Sequence, residues 1–158
     1  MPNDTKDNLT HGFLGIDPGK TGGIALISPE GDEYLAWKIP QTERDLCDLF
    51  NKIRKQTKFA LIEHVHSTPQ MGVRSAFTFG QGYGTLRGLL IASGIPFDEV
   101  RPLKWMTHLR CKTGGDKNVS KRKAQQLFPK LNITHAIADA ILIAEYCRQM
   151  RLGGVDER

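Results

Sequence analysis

Apolar positions along the chain recur with two different periods, and the switches between them mark out strands and helices. Residues 13–16 and 23–27 are short apolar runs. Between them lies Asp17-Pro18-Gly19-Lys20-Thr21-Gly22, which is turn chemistry. The pattern predicts a hairpin with a carboxylate, Asp17, at its mouth. Residues 33–39 alternate loosely and predict a third strand. From Thr42 the period changes: Leu46, Leu49, Phe50 and Ile53 recur at helical spacing as far as residue 56. Residues 59–62 form another buried-strand run, and Glu63 ends it as Asp17 ends the first. A loop holding Pro69 and Gly72 leads to a long helix over 75–93, broken by Gly94-Ile95-Pro96. A short strand at 97–100, a short helix at 102–109 and a flexible loop at 113–116 follow. A basic helix over 119–128 and a last helix over about 134–150 complete the chain.

A three-strand meander followed by strands alternating with helices predicts a single α/β domain. Its sheet is mixed and five-stranded, an antiparallel meander plus parallel strands, flanked by helices. The domain is expected over residues 13–152, with flexible tails at 1–12 and 153–158. A chain of 158 residues is long enough for one sizeable core and too short for two ordinary ones.

Composition narrows the class. No apolar run reaches the roughly 18–20 residues that span a bilayer, so no membrane partner is expected. The start MPNDTKDNLTHG has no apolar signal segment. Cys47, Cys111 and Cys147 show neither CxxC nor Cys/His zinc spacing. Both features suit a reducing cytoplasm, in a bacterium or a phage-infected host cell. Cys47 and Cys147 fall in helical patterns and are expected in or near the core.

Charge distribution says more than its total. Nine of the 22 basic residues lie between residues 100 and 130 with one acid, Asp116, so that segment carries +8. The thirteen basic and sixteen acidic residues elsewhere leave −3. A basic block on an otherwise acidic domain is the footprint of a polyanion binder. A solvated helix face is the plainer alternative.

The candidate chemistry is carboxylate. Asp17 and Glu63 end strands, and Asp139 lies in the small, apolar stretch Thr134-His135-Ala136-Ile137-Ala138-Asp139-Ala140. His135 and Asp139 are four apart and share one helix face. If that face meets the ends of the first and fourth strands, Asp17, Glu63, His135 and Asp139 converge. Carboxylates held close repel one another, and one protonates unless a cation sits among them. Oxygen-rich sites of this kind suit Mg²⁺ or Mn²⁺. Two such ions about 3.5–4 Å apart can clamp a phosphodiester between attacking and leaving oxygens. Each acid also has a plainer use: Asp17 capping its turn, Glu63 pairing with a lysine. His135 at a helix start is often simply exposed. Asp139 is the hardest to dismiss, because a buried acid needs a partner.

GIDPG after an apolar strand, LIE on the fourth strand and ADA on the last helix resemble the RuvC family of Holliday junction resolvases, of the RNase H-like superfamily. SAFTFGQGYGTLRGLL and VRPLKWM, followed by a Lys-rich helix, resemble its phage-associated branch. The likeness runs from about residue 13 to 150. It implies an RNase H-like fold and a homodimer that cuts two opposed strands of a four-way DNA junction with Mg²⁺, in DNA recombination and repair. It implies that Asp17, Glu63 and Asp139 are metal ligands. The family usually has another Asp or His three or four residues before the last acid. Here position 136 is Ala, so His135 takes that role, as a ligand or by positioning the attacking water. The helix near Ser75 lies at the dimer interface in that family.

The remaining site expectations concern DNA. Phe77 and Phe79 are placed to stack on unpaired bases, with core packing as the alternative. Arg74, Arg101, Lys104, Lys112, Lys117, Lys121 and Lys123 are the candidate phosphate contacts, and Lys121 is the one expected at the scissile phosphate. Three other activities compete: an RNase H-fold nuclease acting on RNA or a hybrid, a non-catalytic branched-DNA binder, and an actin-like phosphotransferase. The last lacks the GxxxxGK[ST] phosphate loop.

Overall fold

The first two apolar runs form β1 (Gly12–Asp17) and β2 (Gly23–Ile27), joined as the expected hairpin. The computed structural model describes residues 9–153; the outer parts of both expected tails, 1–8 and 154–158, lie outside the described residues. Within the expected N-terminal tail, Leu9 is buried in the core and Gly12 already belongs to β1. The chain continues through β3 (Tyr34–Lys38), α1 (Glu43–Ile53), β4 (Thr57–Glu63), α2 (Val73–Ala92), β5 (Phe97–Val100), α3 (Pro102–His108), α4 (Lys117–Leu127) and α5 (His135–Leu152). Local chemistry sets several of these limits. The Thr42 hydroxyl accepts from the Asp45 N–H and Asp116 from the Asn118 N–H, which caps α1 and α4. Pro102 opens α3 from the first turn, where its missing N–H costs nothing.

The five strands make one sheet in the order β3-β2-β1-β4-β5. β1, β2 and β3 pair antiparallel, while β4 runs parallel to β1 and β5 parallel to β4. Side chains alternate across the sheet and build two cores. On one face Leu14, Ile16, Ile24 and Ile62 pack under α1 and α2. On the other, Phe13, Ala25 and Leu61 pack under α3, α4 and α5. The result is a helix–sheet–helix sandwich.

α5 is the central helix, buried on nearly every side from Ile137 to Cys147. It can lie so close to the sheet because β1 and β2 carry glycines where it crosses. A Cβ at Gly15 would stand 2.2 Å from the Ala144 nitrogen, and one at Gly23 2.5 Å from the Ala136 carbonyl oxygen. Gly23 is the ladder partner of Asp17. The contact between Gly23 and Ala136 therefore brings the start of α5 beside Asp17. Of the cysteines, Cys147 is buried as expected, Cys47 half-buried, and Cys111, in the loop after α3, is also buried.

Candidate active site

Asp17 sits at the C-terminal end of β1, Glu63 at that of β4, and Asp139 on the first turns of α5. Parallel pairing of β1 and β4 sets the first two at the same edge of the sheet. The Gly23–Ala136 contact delivers the third. Asp17, His135 and Asp139 line one cavity of about 300 Å³, together with Lys38, Lys117, Ser120 and Thr134.

Electrostatics ties the acids together. Burial raises the Asp17 carboxyl to about 6, and the Asp139 charge adds to the rise. Burial raises Glu63 to about 7, with further push from Asp17 and Asp139. Asp139 is also raised by burial, against the pull of Ser120, Lys117 and His135. Three carboxylates, each pushed by burial toward the protonated form, make a site held at a cost, which a cation would remove.

The four expected ligands are not equally placed. Glu63 does not line the cavity; its Oε2 accepts a 2.8 Å hydrogen bond from the indole N–H of fully buried Trp105. His135 is exposed at the cavity rim. Among the described residues, no three His, Cys, Asp or Glu side chains are grouped closely enough to hold one ion by themselves.

Two oxygens at the cavity stand out. The Oδ1 of Asp139 and the Oγ1 of Thr134 are both buried without a hydrogen-bond partner among the described residues. Thr134 stands at the N-cap of α5, yet its hydroxyl caps nothing. Both are hard oxygen donors in the same cavity. The contrast with Glu145, the other acid buried on α5, is instructive. Glu145 is neutralised by a fork from Arg148, with both bonds at 2.8 Å, and by Gln149 at 2.7 Å. The structural acid has partners for both oxygens; Asp139 is drawn on by Ser120 and leaves its Oδ1 without one among the described residues.

The plainer uses of these residues are partly realised. Asp17 does cap its turn, accepting the Gly19 N–H at 3.3 Å with one oxygen. The bonded partner of Glu63 is Trp105 and not a lysine. Sequence reading missed Trp105 and Thr134, because neither residue type signals a ligand. It also favoured Lys121, whereas the lysines lining the cavity are Lys38 and Lys117, the latter one helical turn earlier on α4, with Lys121 half-buried outside the lining.

The DNA candidates lie as surface groups. Arg74, Arg101, Lys104, Lys112 and Lys117 are exposed, and Lys121, Lys123 and Phe79 half-buried. Phe77 is 73% exposed, which removes core packing as its role. It belongs to a stripe on α2, with Val73, Gly80, Gly84, Gly88 and Ile91 spaced by threes and fours. A Cβ at any of the three glycines would meet nothing within 4 Å, so the stripe faces open space.

Among the described residues, no helix is long and apolar enough to cross a membrane. No protein-family model matches the chain, and no curated protein does. Solved structures do. Thermus thermophilus RuvC is similar over 90% of this chain and 96% of its own, at 17% identity and a TM-score of 0.63. The same protein in complex with Holliday junction substrate matches at 16% identity and a TM-score of 0.61, with the same coverage. The yeast mitochondrial Holliday junction resolvase Ydc2 matches over 89% of this chain and 78% of its own, at 14% identity and a TM-score of 0.54. The chain thus has the RNase H-like fold of the RuvC structures, with the order of strands and helices that its own sequence predicts.

Proposed function

We propose that this protein is a Mg²⁺-dependent, structure-selective endodeoxyribonuclease that resolves four-way DNA junctions and related branched DNA by paired nicks. One observation carries the reading: Asp17, Asp139 and Lys117 meet at a single cavity, with Glu63 in electrostatic reach. The +8 segment that supplies Lys117 and the fold shared with resolvase structures support it. Asp17, Glu63 and Asp139 would hold the metal, with His135 and the Thr134 hydroxyl as further donors. Two bound Mg²⁺ ions, or Mn²⁺ in their place, would stabilise the charge that develops on the phosphodiester and activate the attacking water.

The chain's own groups do the rest. Lys117 offsets the charge of Asp17 and Asp139 and draws in a phosphate that bare carboxylates would repel. His135, open at the rim, is placed to take a proton from water. Trp105 holds one oxygen of Glu63 and leaves the other free. Arg101, Lys104, Lys112, Lys121 and Lys123 hold the DNA arms through their phosphates. The exposed α2 stripe receives the same stripe of a second copy, which gives a two-fold dimer and one site for each opposed strand.

The test uses a labelled four-way junction, the matching linear duplex and an RNA/DNA hybrid, each with Mg²⁺, Mn²⁺ or EDTA. Paired symmetric nicks on the junction alone, lost in EDTA, are expected. Cutting of the hybrid alone would replace this reading with that of an RNase.

A further inference from the structure

The acid cavity holds a second cation, to which the chemistry at the acids gives no task. Two lysines line it, Lys117 from the start of α4 and Lys38 from the last position of β3. Lys117 pulls on both Asp17 and Asp139. Lys38 is exposed, and among the described residues no hydrogen bond or ion pair occupies its side chain.

Ladder register fixes where Lys38 stands. Asp17 pairs with Gly23, and Gly23 pairs with Lys38. Residues paired across a ladder project to the same face of the sheet. The alternation along β3 agrees: Tyr34 and Ala36 pack into the core under α4 and α5, and Trp37 packs into the other. Lys38 therefore shares the face of Asp17 from two strands away, about 10 Å at the backbone. Gly23 puts no side chain between them, and Thr21 and Ala136 line the same cavity.

A lysine on an edge strand has a plainer use, which is to blunt the open edge against pairing with another chain. β3 is such a strand. That use is served by a charge anywhere along β3. It does not account for a charge at the one position of β3 whose ladder row leads to Asp17.

A nucleic-acid strand does account for it. When one phosphate lies at Asp17 and Asp139, the next lies displaced along the strand, beyond the reach of a lysine engaged with the acids. On the β3 side of the cavity, the free cation is Lys38. A strand gripped at two successive phosphates cannot slip past the acids by one nucleotide.

We propose that Lys38 grips a phosphate adjoining the scissile one, and so fixes which phosphodiester of the strand is cut. The inference rests on the endonuclease reading and adds to it the contact that sets the register of cutting.

Lys38 is exposed at the end of its strand, so Lys38→Ala and Lys38→Arg are expected to fold as the parent does. The binding arm uses Asp17→Asn protein in EDTA, with Lys, Ala or Arg at position 38. Its junctions carry one neutral methylphosphonate at successive positions of the crossover strand. Lys38→Ala is expected to weaken binding about three- to fivefold and to reduce the slope of log affinity against log salt by about one. At one position beside the cut phosphate, the methylphosphonate should cost the Lys38 protein a similar factor and the Ala variant nothing. Lys38→Arg should restore the binding. Penalties that add at every position, or a slope unchanged by Lys38→Ala, overturn the contact. A variant that self-associates with its salt slope intact does so too, and assigns Lys38 to guarding the edge.

The cutting arm maps nicks on an unmodified junction in Mg²⁺. The parent is expected to nick one phosphodiester of each cut strand, Lys38→Ala to spread nicks onto its neighbours, and Lys38→Arg to keep the single position. A nick pattern unchanged by Lys38→Ala overturns the role in register. Either failure at Lys38 leaves the nuclease reading standing, whereas a parent that neither binds nor cuts branched DNA removes both.

Discussion

Neutralising Asp17 should stabilise the metal-free protein at high pH and leave it unchanged at low pH. The perturbation is Asp17→Asn, which keeps an oxygen for the Gly19 N–H and removes the charge. In the unfolded chain the Asp17 carboxyl titrates near 3.8; in the folded chain burial and the charge of Asp139 raise it to about 6. Between those values the native state binds the proton more tightly than the unfolded state. Stability therefore falls as pH rises through this window, and above about 6 the whole penalty is present. A rise of roughly two units corresponds to about 3 kcal/mol. Solvent still reaches the carboxylate and lowers that figure, so a gain in Tm of about 3–10 °C is expected for a domain of this size. The assay is thermal unfolding in EDTA at pH 8 and pH 4. Asp17→Asn should unfold higher than the parent at pH 8 and at the same temperature at pH 4. Added Mg²⁺ at pH 8 should raise the parent and not the variant. An equal difference at both pH values, or a variant less stable at pH 8, would refute the view that Asp17 is a carboxylate held at a cost.

Trp105→Phe keeps an aromatic ring at this fully buried site and removes the donor to Glu63; about tenfold more Mg²⁺ should then be needed for half-maximal cutting. In a Trp37→Phe background, Mg²⁺ should change Trp105 fluorescence, and an unperturbed spectrum would separate Trp105 from the metal site. Lys117→Ala should weaken junction binding and reduce the slope of log affinity against log salt by about one. An unchanged slope would take Lys117 off the phosphate. Phe77→Ser, at a position 73% exposed, should shift unfolding by less than about 0.5 kcal/mol yet convert a dimer to a monomer in sedimentation. A variant that sediments as the parent does would take the stripe out of the interface.

Most strands and helices were legible because each apolar run is bounded by its own turn chemistry, as Pro18-Gly19 bounds β1 and Gly94-Ile95-Pro96 separates α2 from β5. Asp17 and Glu63 stand out in the sequence because charge at the end of a buried run is costly, and Asp139 because it lies inside an apolar helical stretch. What stayed hidden depends on register and rotation. Trp105 meets Glu63 across 42 positions, because Val100 pairs with Glu63 and α3 starts two residues later. No period in the sequence encodes that pairing. Lys117 and Lys121 occupy the same face of α4, and only the placement of the helix on α5 decides which of them reaches the acids. Leu9 looked like tail because one apolar residue makes no pattern. The Thr134 hydroxyl stands at the N-cap of α5 and leaves the capping role unfilled, which no sequence pattern marks. For Phe77 the sequence left base stacking and core packing both open, and its 73% exposure decides against the core.

If the proposed function holds, the acids at the cavity cut DNA and do not merely hold the fold. The most direct measurement compares the parent with Asp17→Asn and Asp139→Asn on one labelled four-way junction, scoring cleavage in Mg²⁺ and binding in EDTA. Both variants should bind the junction as tightly as the parent or more tightly, and neither should cut it. Variants that still cut, or that lose binding along with cutting while remaining folded, would contradict it.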